Sequence, residues 1–389
     1  MKKIDPVVDE AIETLNMKDG PTRRKLLKGT GLFSATAAAS ALISACSSST
    51  NGNASTASSA AGNFPKTPKW QFWYDNHVYT NVFFVPTQYG FQDAAALLGL
   101  PTPKWGGSAS TSSVSEMTSF LNEAVAAKAA GIATTVINGT GFTTPVKKAM
   151  DAGIPVVTYN ADGVVNKNGT PVIGTNRLAY IGQALYLSGQ QLGKRIMKMI
   201  PTPGEIVIFI ATPGAGNIQP RYDGAASVLT PKGYKLHEIK TGSQTSQNLP
   251  SEKSFLLSHK SVKGAFAVDA GSTEFLADAL AATGLSHLPN GGFDTTPKTL
   301  QNIQSGKTAF TIYQNPYLQG FLPTLYLYLY NLSGGTLPPP DTDTGLSFIT
   351  KTSAGPFLKD SRYVGQVKTE KYIPRPSGPI NAPMATTST

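Results

Sequence analysis

Cysteine is almost absent from this chain of 389 residues: Cys46 stands alone. A single thiol forms no intrachain disulfide and no thiolate metal cluster, so the fold rests on packing and hydrogen bonding. Charge is scarce as well, at 14% of residues, with no run of five like charges. The formal net charge is +10, but the first 45 residues hold seven Lys/Arg and five Asp/Glu, so +8 is spread thinly over the remainder. There is no basic stripe with interleaved aromatics, which excludes nucleic acid as a partner. Histidines are few: His77, His237, His259 and His287 are scattered, and three of them lie near Lys or Pro. The H-E-x-x-H and G-x-S-x-G patterns of metal and nucleophile sites are missing. Gly306-Lys307-Thr308 ends like a phosphate loop, but Gln301 occupies the leading glycine position. Gly139-Thr140-Gly141 and Gly214-Ala215-Gly216 follow predicted strands, yet Thr144 and Gln219 stand where a dinucleotide loop needs its third glycine. Asp341-Thr342-Asp343 lacks the rest of a calcium loop. No catalytic residue, metal or cofactor is called for, and a non-enzyme is expected.

What is present begins with Thr22-Arg23-Arg24-Lys25-Leu26-Leu27-Lys28, the adjacent-arginine address of twin-arginine export. The apolar run that follows carries Gly, Thr and Ser and spans about 17 residues, short and weak for a bilayer span. It ends in Ile43-Ser44-Ala45-Cys46, which resembles a bacterial lipobox. Residues 1–45 therefore read as a twin-arginine lipoprotein signal peptide with lipid attachment at Cys46. Residues 46–64 offer Ser, Ala, Asn, Gly and Thr and nothing large to bury before Phe64, and read as a flexible tether. The expected location is the outer face of the cell membrane, or the periplasm, with the lipid anchor as the sole membrane contact.

From Trp70 onward, short apolar runs alternate with Gly- or Asn-bearing turns and with segments of helical spacing. Strand–helix alternation predicts βαβ units and parallel sheets covered by helices on both faces. About ten such units exceed one ordinary sheet and predict an α/β chain of two doubly wound lobes. The expected division is 65–174 plus 315–335 for the first lobe, and 175–314 plus 336–389, including a C-terminal tail, for the second. Crossings between lobes are expected near Gly174–Thr175, Gln314–Asn315 and Ser333–Asp341. Ligands of such sheets sit beyond the carboxyl ends of the strands, where this chain places Asp75, Asn76, Asn160, Asp269, Asp294 and Gln314.

Four segments resemble the type I periplasmic sugar-binding proteins of ABC transporters, over residues 65 to about 352. They are Asn81-Val82-Phe83-Phe84, Arg221-Tyr222-Asp223-Gly224, Gly292-Phe293-Asp294-Thr295-Thr296-Pro297 and Thr311-Ile312-Tyr313-Gln314-Asn315-Pro316. The resemblance implies two lobes joined by a three-crossing hinge, a sugar or sugar-alcohol ligand, and delivery to a membrane permease. It implies a monomeric receptor that closes on its ligand. By position, Asn81 would bond a hydroxyl, Phe83 and Phe84 would face the sugar's C–H surface, and Asn160, Arg221, Asp269, Asp294 and Gln314 would hold the other hydroxyls. Asp294 and Gln314 also precede helices and are placed to cap them. Where the family has Asp-Arg after the fourth strand, this chain has Asn160-Ala161, which implies a ligand other than ribopyranose. The run Phe84–Gly90 resembles that of polyol-binding relatives. A carbohydrate-acting enzyme of similar fold, or a chemosensory component without a transport role, are the alternatives.

Overall fold

A computed structural model describes residues 65–166, 169–359, 362–363 and 377. The signal peptide, Cys46, the tether and most of the C-terminal tail lie outside the described residues. The described residues from Lys66 onward form one compact unit, and two six-stranded sheets organise it.

The first sheet has β1 (Phe72–Asn76), β2 (Lys104–Gly107), β3 (Gly131–Val136), β4 (Val156–Asp162), β7 (Tyr180–Gly182) and β13 (Asp341–Asp343) in the order β13-β7-β4-β3-β1-β2. Every pairing in it is parallel. The second has β8 (Glu205–Ile210), β9 (Lys235–Lys240), β10 (Gly264–Ala267), β11 (Asn290–Phe293), β12 (Thr311–Tyr313) and β14 (Ser347–Ile349) in the order β14-β12-β11-β10-β8-β9. Only β14 runs antiparallel there. A two-stranded hairpin, β5 (Val164–Val165) with β6 (Pro171–Val172), projects after β4.

Central strands such as Ile206–Ile210 are buried along their whole length, as helices on both faces require. Those helices are α1 (Val85–Leu97), α2 (Val114–Ala126), α3 (Thr143–Asp151) and α9 (Pro316–Leu332) on the first sheet, and α4 (Leu185–Met199), α5 (Gln219–Leu229), α6 (Thr245–Ser258), α7 (Ala270–Ala282) and α8 (Pro297–Ser305) on the second. None of the described helices is long and apolar enough to cross a membrane. Glycines let two helix pairs touch backbone to backbone. A Cβ on Gly90 would strike the Tyr317 carbonyl, and one on Gly320 the Thr87 carbonyl, so α1 and α9 meet without side chains between them. In the second lobe a Cβ on Gly189 would strike the Arg221 carbonyl, and one on Gly224 the Tyr186 carbonyl. That close approach of α4 to α5 fixes the backbone from which Arg221 projects.

Two of the three expected crossings move. Residues 180–182, expected in the second lobe, form β7 of the first sheet. Residues 341–343, expected past the last crossing, form its edge strand. The chain therefore changes lobe within 182–185, 313–316 and 343–347. β7 has only three residues, and its Ile181 merges into the apolar spacing of α4. β13 is Asp-Thr-Asp, an edge held by its backbone, by Arg177 on Asp341 (3.0 Å) and by a hydroxyl contact between Tyr326 and Thr342 (2.8 Å). No apolar alternation marks it.

Candidate functional site

Between the lobes lies a cleft enclosing about 100 Å³, and all eight residues picked out in the sequence line it: Asn81, Phe83, Phe84, Asn160, Arg221, Asp269, Asp294 and Gln314. Three come from the loop after β1, one from β4, and four from strand or helix ends of the second lobe.

Asn81 accepts a hydrogen bond from the Phe83 amide (2.9 Å), which caps a single 3₁₀ turn. Its side-chain amide nitrogen stays free for the cleft. The Phe83 and Phe84 rings meet edge to face, 4.8 Å apart, and Phe84 packs edge-on to His77. Asn160 and Asp294 have φ of 61° and 74°, and Asn315, beside Gln314, has φ of 56°. Left-handed backbone is tolerated by Asn and Asp better than by most residues, and here it turns the chain at the ends of three strands. Gln314 donates to Asp294 Oδ1 (2.6 Å), while its Oε1 accepts from Gln319 (3.1 Å) and from Asn160 (3.4 Å). Gln319 is buried and also accepts from Asn160 (3.1 Å). The Thr344 hydroxyl closes this network on the Gln314 carbonyl (2.7 Å). One hydrogen-bonded chain thus joins both cleft walls to the second and third crossings.

Arg221 and Asp294 are the charged centre. Both are buried, 2% and 4% exposed, with Arg221 Nη1 4.0 Å from Asp294 Oδ2. That separation is too long for a hydrogen bond. Nη1 instead donates to the Val268 carbonyl (2.9 Å), and the guanidinium lies 4.3 Å from the centre of the Phe293 ring. Burial pushes the Asp294 carboxyl up to about 6, against the opposing pull of Arg221 and of the Gln314 hydrogen bond. Burial also lowers the Arg221 guanidinium, countered by Asp294, yet it stays a cation. Arg221 Nε has no partner. A carboxylate and a guanidinium held apart, each with unused valence, suit a ligand that both donates and accepts.

The capping alternative falls elsewhere. Helix α8 is capped by Thr296 and α9 by Asn315, not by Asp294 or Gln314. The cap is Asp269, whose Oδ1 accepts from the Ser272 amide and whose Oδ2 accepts from the Ala211 amide and the Ser272 hydroxyl, each at 2.9 Å. Asp269 is therefore engaged by its own lobe. Asp75 and Asn76 turn away from the cleft: Thr134 donates to Asp75 (2.7 Å), Asn76 donates to the Tyr159 hydroxyl (2.9 Å), and burial holds the Asp75 carboxyl well above its ordinary range. Ala161, in the place of the family's arginine, is buried among core residues of the first lobe, so Arg221 is the cleft's one cation among the described residues.

Polar residues outside the candidate set also line the cleft, among them His77, Ser112, Asn217, Asn248 and Glu274. His77 follows a strand end already under scrutiny and was within reach of that rule. The others sit on loops and helix turns with no pattern to mark them.

Comparison with known proteins agrees with this fold. A periplasmic binding protein domain family matches residues 74–334. The xylose/arabinose-binding protein XylF of Sulfolobus acidocaldarius is 44% identical over 315 residues, covering 78% of this chain and 77% of that protein. An ABC transporter solute-binding protein of Burkholderia graminis, solved in complex with D-arabinose, superposes with a TM-score of 0.67 at 22% identity, covering 76% of this chain and 100% of that one. The glucose-galactose binding protein GanP of Geobacillus stearothermophilus gives 0.65 at 23% identity, covering 74% and 99%. With two parallel α/β lobes, a polar cleft at their strand ends and a match across residues 74–334, the chain belongs to the periplasmic binding protein domain family.

Proposed function

We propose that this protein is the solute-binding component of an ABC importer, that it captures a pentose such as xylose or arabinose, and that it delivers it to membrane permease subunits. The observation that carries this is the convergence of Asn81, Phe83 and Phe84 from one lobe with Arg221, Asp294 and Gln314 from the other on one small cleft. Adjacent sugar hydroxyls donate and accept at once, which matches a free amide, a carboxylate and a guanidinium around two aromatic rings. A hollow of about 100 Å³ admits one small ring and not a chain of them. Asn160-Ala161 removes the second charged pair expected for ribopyranose, and the 44% identical xylose/arabinose-binding relative favours a pentose over a pentitol. The mechanism is closure of the lobes about the hinge, with the bound sugar recovered unchanged. A thermal-shift series against pentoses, hexoses and pentitols tests it. A pentose at a hundred times its Kd should add about 2.7 kcal/mol and raise the melting temperature by several degrees. No shift with any pentose sinks the reading.

The reading includes export as a folded, monomeric lipoprotein. The motivation is Arg23-Arg24 followed by Ile43-Ser44-Ala45-Cys46. Replacing both arginines by lysine should strand the protein inside the cell, and Cys46→Ala should release it from the membrane fraction. Normal export of the first variant, or full membrane retention of the second, contradicts the assignment.

A further inference from the structure

Besides the three crossings, the lobes touch where the β5–β6 hairpin lies against α5 and at a loop contact made by protein atoms alone. The loop Gly214–Asn217, between β8 and α5 of the second lobe, reaches strand ends of the first. The Gly216 amide donates to the Ile137 carbonyl (3.0 Å) just past β3. Its Cα lies against the Gly163 carbonyl just past β4, so closely that a Cβ at this position would collide with it. The Asn217 side-chain nitrogen lies 3.1 Å from His77 Nε2, just past β1. The other ring nitrogen of His77 is engaged by the Thr135 hydroxyl at 3.0 Å. Both nitrogens are then used within the protein, and His77 has none left to offer a ligand.

We propose that Gly216 and Asn217 form a latch that holds the lobes closed over the cleft, so that Gly216, outside the cleft wall, sets ligand affinity through closure and not through contact with the ligand. The proposal deepens the binding-protein reading and rests on it for the sense of closure. Gly216 is a positioning residue in the strict sense: it borders the neighbouring hollow beside the first crossing and is no part of the cleft wall. A glycine is required there because the two backbones approach within the space of a side chain. A ligand that prefers the closed form binds with an affinity scaled by the closed fraction of the empty protein. Contacts made without ligand raise that fraction before the ligand arrives. Breaking them shifts the empty protein toward the open form and shortens the lifetime of the complex.

The test is small-angle scattering of the ligand-free full chain as wild type, Gly216→Ala and Asn217→Ala, with melting curves to confirm folding. Both variants should show a larger radius of gyration than wild type. In stopped-flow measurements with xylose or arabinose, Gly216→Ala should lose about tenfold or more in affinity, chiefly through faster dissociation, although no atom has been removed from the cleft. A wild-type radius together with an affinity within threefold of wild type in Gly216→Ala overturns the latch. If Gly216→Ala does not fold, an unchanged radius in Asn217→Ala overturns it instead. The scattering comparison uses no sugar. Expansion of the variants in a protein that binds no pentose upholds the latch and sinks the pentose reading alone.

Discussion

Arg221→Ala is expected to weaken pentose binding by about 2–5 kcal/mol, some thirty-fold to several thousand-fold in Kd. The guanidinium is rigidly placed. Gly189 seats the Arg221 carbonyl against α4, the Val268 carbonyl takes Nη1, and the Phe293 ring lies beside the guanidinium carbon. Alanine leaves sugar hydroxyls without charge-assisted donors in a buried site. A bridge at an exposed cleft is worth roughly 0–1 kcal/mol to folding. Burial of both partners changes that expectation. Loss of the cation leaves the Asp294 carboxyl to move further up and take a proton, and the Val268 carbonyl loses its donor, so a stability cost of roughly 1–3 kcal/mol accompanies the binding loss. Arg221→Lys should not restore affinity, because an ammonium lacks the planar fork. Calorimetry checks the point: an alanine variant binding within threefold of wild type removes Arg221 from the ligand's partners.

The second large effect is on stability against pH. Burial pushes the Asp294 carboxyl up from an ordinary value of 3.8 to about 6. A folded value raised above the unfolded one means the folded state holds its proton longer. The stabilisation is full below about 3.8 and is lost as pH rises through about 6. Two pH units correspond to roughly 3 kcal/mol. Burial raises Asp75, Asp269 and Glu252 in the same sense. His77 opposes them: burial lowers its imidazole to about 3, so its contribution is present above 6.5 and lost as pH falls toward 3. Comparing Asp294→Asn with wild type isolates one group. Denaturant melts at pH 4 and pH 7 should show the variant gaining on wild type by roughly 2–2.5 kcal/mol at the higher pH. Any fixed penalty for leaving Arg221 without its carboxylate cancels in that difference. An equal gap at both pH values contradicts the assignment. The same substitution should weaken sugar binding, the exchange of stability for function common at binding sites.

How much of this was legible in the sequence follows from where each signal lies. Glu205–Ile210 and Pro297–Ser305 are legible as a strand and a helix, because a short apolar run and a Pro-initiated amphipathic segment carry their own patterns. The eight candidate residues converge on one cleft because each sits at or near the end of an element, and parallel sheets gather those ends together. Tyr180–Gly182 and Asp341–Asp343 were illegible for the opposite reason. One is too short to show a period, and the other is a polar edge whose pairing is all backbone. The capping role of Asp269 was illegible, since only the fold shows that three donors of its own lobe converge on its carboxylate. His77 and Asn217, 140 residues apart, acquire a relation only when the lobes meet.

Capture of a pentose in this cleft is tested most directly by calorimetric titration of xylose and arabinose into the purified full chain, with Arg221→Ala run alongside. The expected result is saturable 1:1 binding of at least one of them by wild type, and a loss of thirty-fold or more in the variant, about 2 kcal/mol or above. Absence of saturable heat with either sugar, or equal affinity in the two proteins, contradicts the assignment.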